Sequence, residues 1–96
     1  MSDPLPSFAR FTEQARARGF DEVIERRWAP LSVVETHRHP FALWALVTEG
    51  EMWLSIGAET RRLTPGSEFE LAAEAPHAER YGPEGATYWV ARRHGA

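Results

Sequence analysis

From Phe20 onward the chain alternates short apolar runs with glycine and proline punctuation, the pattern of successive β-strands rather than helices. Phe20–Trp28 reads as a first strand, closed by Ala29-Pro30. Leu31–His39 follows. Its odd positions (Leu31, Val33, Glu35, His37, His39) carry more apolar residues than its even ones, which predicts that the odd face looks inward. Ala42–Val47 is almost unbroken apolar sequence around Trp44, as expected of a strand covered on both faces. Glu49-Gly50 predicts a tight turn into Glu51–Ile56, where Met52, Leu54 and Ile56 alternate with Glu51, Trp53 and Ser55. Gly57-Ala58 predicts a hairpin into Thr60–Leu63, and Thr64-Pro65-Gly66-Ser67 a further turn. Phe69 and Leu71 then alternate with Glu68 and Glu70. His77–Tyr81 and Ala86–Arg92 read as the last two strands, separated by a turn at Gly82-Pro83-Glu84-Gly85.

Strands at spacings of roughly ten residues predict an all-β sandwich or barrel. Only the N-terminal part differs. Beyond a loose leader at Met1–Pro6, Ser7 is placed to cap a helix running to about Arg18 and ended by Gly19. Phe8, Phe11 and Ala15 form one stripe of that helix, which predicts that it lies over the sheet.

With 96 residues, the expectation is a single domain: leader and helix over 1–19, barrel over 20–93. A net charge of −3 argues against nucleic acid as the principal partner. The absence of cysteine removes disulfides, thiol catalysis and zinc–thiolate sites. Met1–Phe8 has neither a basic start nor a long apolar run, and no stretch approaches a membrane span, so a cytoplasmic location is the expectation. No phosphate loop, serine elbow or zincin helix is present.

The candidate chemistry sits in Thr36-His37-Arg38-His39-Pro40. Residues two apart in a strand share a face, so His37 and His39 should project into one space, and neutral imidazole ligates zinc, copper, iron and nickel. A third ligand has to come from elsewhere, and His77 is expected to fold back against the pair. Arg38, of opposite parity, is expected in solvent or an interface, and His94 in a solvated tail. Trp53 stands on the polar face of its strand, which suggests an oligomer contact.

These features together resemble a small single-domain cupin of the RmlC-like type. The family's first motif, Gly-x5-His-x-His-x3,4-Glu-x6-Gly, is echoed by His37-Arg38-His39 and Gly50. Its second, Gly-x5-Pro-x-Gly-x2-His-x3-Asn, is echoed by Pro65-Gly66 and by Ala75-Pro76-His77. The resemblance covers about Ala29–Arg92. It implies a double-stranded β-helix (jelly-roll) barrel with a short N-terminal helix, and His37, His39 and His77 as ligands of one divalent ion (Fe, Mn, Ni, Zn or Cu). The motif glutamate is replaced by Leu43 or Trp44, and the second motif's proline, glycine and asparagine by Ala72, Glu74 and Tyr81. The ligand set is thereby reduced to three histidines, an arrangement that leaves coordination positions open. Glu79 and Glu35, each two residues from a ligand histidine, are candidates for a fourth ligand or for a partner of a histidine ring. Tyr81, inward by the same parity, is a candidate hydrogen-bond donor or acid. Two functions follow from the resemblance. One is a metalloenzyme of dioxygenase, isomerase or lyase type acting on a small organic molecule. The other is a non-catalytic ligand-binding or sensor barrel, similar to the ligand-binding domains of AraC-type regulators. Cupins commonly dimerise, so a homodimer is expected.

Overall fold

A computed structural model describes residues 5–94; the first part of the expected leader lies outside the described residues. Helix α1 spans Phe8–Ala17. Ser7, in an extended conformation, accepts a hydrogen bond at Oγ from the Arg10 amide (3.1 Å), one of the otherwise unpaired donors of the first turn. Six strands follow: β1 Glu22–Trp28, β2 Val33–His37, β3 Ala42–Ile56, β4 Glu59–Leu63, β5 Glu68–Leu71 and β6 His77–Arg93. Among the described residues no helix is long and apolar enough to cross a membrane.

Two of the expected turns are absent. Glu49-Gly50 and Gly82–Gly85 lie inside the long strands β3 and β6, which pair antiparallel along most of their length. The ladder shifts register between Val47 and Glu49 and again between Gly50 and Met52, where Gly82–Gly85 is looped out of β6. Such bulges bend a strand without ending it. The N-terminal half of β3 pairs β5 and the C-terminal half of β6, which in turn pairs β1. The other halves pair β4 and β2. Two four-stranded faces, β1-β6-β3-β5 and β2-β6-β3-β4, therefore share their two central strands at the bend. Glycine is required there because the backbones touch. Gly50 (φ 78°) and Gly85 (φ 72°) both adopt left-handed conformations, and a Cβ on Gly50 would stand 2.1 Å from the Gly85 carbonyl oxygen.

The inward parity reverses across each bulge. Leu43, Ala45 and Val47 face the barrel core before the bend of β3, and Met52 and Leu54 after it. Along β6 the inward set passes from His77, Glu79 and Tyr81 to Ala86, Tyr88 and Val90. Outward-facing Trp44 and Leu46 are buried too, because Phe11 and Ala15 of α1, with Phe20, cover that face; the Phe11 and Trp44 rings stack at 4.5 Å. The helix thus lies over the sheet as its apolar stripe predicts.

The parity reading of β2 needs correction. Leu31 and Val33 are 69% and 68% exposed and Glu35 is exposed, whereas Val34 packs on the core. A register shift between Val34 and His37 inserts one residue, so the inward face passes from even to odd and the histidines still turn in. Among the described residues, the two non-glycines with positive φ, Leu31 (60°) and Glu74 (66°), fall where the two histidine motifs place a glycine. At both, the chain adopts a left-handed conformation with a side chain that costs about 1–2 kcal/mol there.

Candidate metal centre

His37 ends β2, His39 follows it, and His77 opens β6 directly opposite, as the Cα partner of His37. The distant histidine thus reaches the pair through ordinary strand pairing. One nitrogen from each of the three rings lies within 4.8 Å of the others, and the ring centroids are 4.3–5.1 Å apart. His77 is buried and the other two are half-buried.

Backbone carbonyls orient two of the rings. His37 Nδ1 donates to the Glu35 carbonyl and His77 Nδ1 to the Ala75 carbonyl, each at 2.9 Å. A protonated Nδ1 leaves the Nε2 lone pair unprotonated and free to ligate. The third ring is held flat against Phe41 (4.8 Å, 11° between planes), and its Nε2 lies 3.2 Å from that of His37. Two imidazole nitrogens about 2.1 Å from one ion, at angles from octahedral to tetrahedral, stand about 3.0–3.4 Å apart. The donor set, and the spacing of the His37–His39 pair, fit a divalent ion.

The expected carboxylates separate. Glu79 is buried, with Oε2 3.8 Å from His37 Nε2 and 3.7 Å from His77 Nε2. Tyr81 donates from its hydroxyl to Glu79 Oε1, which turns the other oxygen toward the histidines. Tyr81 itself is 1% exposed and stacks on Trp28 behind the cavity wall (5.1 Å, 16°). Burial pushes its pKa far up, so it stays a neutral donor. Glu35, expected on the face of His37, is instead exposed on the outer surface, because the β2 bulge lies between them; only its carbonyl serves the site. His94 is exposed, but tied: its Nε2 is 2.9 Å from Glu22 Oε1.

The histidines open onto a cavity of about 110 Å3 inside the barrel. Its wall also carries residues that the motif reading passed over: Arg26, Trp28, Tyr88 and Arg92. A period-two signal for them was available. Arg26 lies between Ile24 and Trp28 in β1, and Arg92 follows Tyr88 and Val90 in β6, at the inward position in each case.

Burial, and then the neighbouring His37 and His77, hold the His39 pKa below its ordinary 6.5. The unfolded chain therefore takes up this proton first. Above about pH 6.5 both states are neutral at His39 and its contribution to stability is complete; as pH falls below that value, stability is lost. The metal-free protein should melt at lower temperature at about pH 5.5 than at about pH 7.5, with a shallower dependence in His39→Ala. Equal slopes for the two proteins would contradict this assignment.

A family model described as "AraC-like ligand binding domain" matches residues 19–95. Among solved structures, the chain is similar to an RmlC-like cupin from Shewanella frigidimarina, with TM-score 0.68 and 18% identity over 76% of this chain and 65% of that one. A structure from work on the DMSP lyases RdDddP and RnDddQII superposes with TM-score 0.70 and 27% identity, covering 77% of this chain and 38% of that one. A variant of oxalate decarboxylase from Bacillus subtilis gives 0.68 and 23%, covering 77% and 21%. The chain thus spans about a fifth to two thirds of the length of these proteins. Among curated proteins none matches it. These likenesses agree with the all-β jelly-roll architecture described above.

Proposed function

The chain belongs to the family of AraC-like ligand-binding domains, as a small cupin, and on that footing we propose that it holds one divalent ion through His37, His39 and His77 and takes a small organic molecule into the barrel beside it. The observation that carries this reading is the convergence of three ring nitrogens, two with their lone pairs left free by backbone hydrogen bonds, on the wall of a partly apolar cavity. Glu79 supplies the carboxylate that the first motif lacks, from a different strand, with Tyr81 as its positioning residue. An ion held there would act as a Lewis acid with open positions toward the cavity. Glu79 can also accept a proton from a molecule lodged against the histidines.

Turnover of dioxygenase, isomerase or lyase type is the reading that the histidine centre favours; lyases and decarboxylases occur among the structurally similar proteins. A second reading, ligand binding without turnover, is favoured by the family match itself. Metal content and native mass of untagged protein, followed by activity and binding assays with small phenols, thiols and keto acids, separate them. About one ion per chain with metal-dependent turnover supports the first; saturable binding without turnover supports the second. No metal uptake at all removes the centre. We infer a homodimer as the assembly. Leu31 and Val33 are exposed, and Trp53, half-buried under Arg80, adds to the outer surface of the β2-β6-β3-β4 face. A monomer mass in the same experiment would overturn that.

A further inference from the structure

We propose that the molecule taken into the barrel is a small monocarboxylate, gripped by Arg26 and Arg92 beside the histidine centre. This rests on the reading of the barrel as a small-ligand site and adds the chemical class of the ligand. Arginine seldom points into a barrel unless something answers its charge. Here two do, into a cavity otherwise walled largely by aromatic and aliphatic side chains.

Neither is answered fully by the protein. Among the described residues no carboxylate pairs with Arg26; its guanidinium lies over the Trp28 ring at 4.9 Å. Arg92 reaches Glu22 Oε1 only at 3.4 Å through Nη1, and that oxygen also receives His94. The Arg92 Nε is buried with no hydrogen-bond partner. A buried donor left unpaired in this way is a cost to the unliganded protein. Glu79 is the single carboxylate on the wall, and it is engaged by Tyr81 and turned to the histidines. Two positive groups thus face one negative group, and a bound divalent ion would widen the excess.

Position follows from Phe41. Its ring carries the His39 imidazole at 4.8 Å and the Arg92 guanidinium at 4.9 Å, so cation and histidine sit on one aromatic platform. Size follows from volume. A cavity of about 150 Å3 holds benzene, so about 110 Å3 limits the enclosed part of a ligand to roughly four non-hydrogen atoms. Guanidinium groups grip carboxylates through paired N–H donors, which an uncharged amide of the same shape cannot exploit to the same degree.

The test compares pyruvate with pyruvamide, equal in heavy-atom count and differing in charge, by calorimetry and tryptophan fluorescence on chelator-treated and metal-loaded protein. Pyruvate should saturate the protein at least about tenfold more tightly than pyruvamide in both preparations. Arg26→Gln and Arg92→Gln should each abolish most of that preference without altering the circular dichroism spectrum. Arg26→Lys and Arg92→Lys, which keep the charge but not the paired donors, should recover part of it, and they carry the comparison if a glutamine variant does not fold. Equal binding of the two probes, no binding of either, or a preference untouched by the substitutions would overturn the proposal. Metal content is measured on the same samples. A carboxylate preference in protein that takes up no metal would sink the metal reading alone; a fully loaded protein without the preference would sink this one alone.

Discussion

His39→Ala protein is expected to lose metal affinity by more than about a hundredfold while its metal-free barrel melts within a few degrees of wild type. Loss of an outer partner of a ligand already costs about 10–100-fold, and loss of a ligand should exceed that. Stability should hardly change, because His39 lies beyond the end of β2, is half-buried, and forfeits its stacking on Phe41 and its 3.2 Å contact with His37 Nε2. Zinc titration by calorimetry, with thermal unfolding in chelator, reads both quantities. His94→Ala is the control, since that ring is exposed and bound to Glu22. Unchanged zinc uptake by His39→Ala would remove the histidine centre from the interpretation. Unfolding of the wild-type chain in chelator would recast the ion as structural.

Gly85→Ala is expected to damage the barrel far more than its size suggests. At φ 72° an alanine costs about 1–2 kcal/mol. Its Cβ would also fall 2.2 Å from the Trp28 carbonyl oxygen and 3.1 Å from the Ala29 carbonyl carbon, so backbone must move. Such overpacking adds about 1–3 kcal/mol. A total of roughly 3 kcal/mol, against the usual 5–15 kcal/mol of a domain, should lower the melting temperature by roughly 12–24 °C. Gly57→Ala supplies the contrast: φ there is 60°, but nothing lies within 4 Å of the added carbon, so only the backbone cost of about 1–2 kcal/mol remains. If Gly85→Ala melted no lower than Gly57→Ala, the close packing of three backbones at the bend would be refuted.

The errors in reading the fold from sequence share one origin. Glu49-Gly50 and Gly82–Gly85 carry turn composition, yet each sits in a bulge of a long strand. Local preference for a left-handed residue is the same in a turn and in a bulge; what distinguishes them is whether the ladder resumes beyond, and that depends on a partner strand. The same ambiguity misplaced Glu35. A one-residue insertion in β2, invisible in the alternation itself, moved the carboxylate outside while returning His37 to the interior. Glu79 and Tyr81 were legible because β6 runs regularly from His77 through Tyr81. Arg26 and Arg92 show the same period-two pattern but belong to no metal motif.

By itself the sequence determined the order of the apolar runs, the capped helix with its buried stripe, and the residue types able to hold an ion. These are consequences of periodicity and local backbone chemistry, which act over a few residues. The tertiary structure decided which side chains share one space. Pairing across 40 residues sets His77 opposite His37, and bulges choose Glu79 over Glu35. Pairing of β1 with β6 then brings two arginines to one cavity wall. Such meetings depend on register, and a register is a property of two strands together.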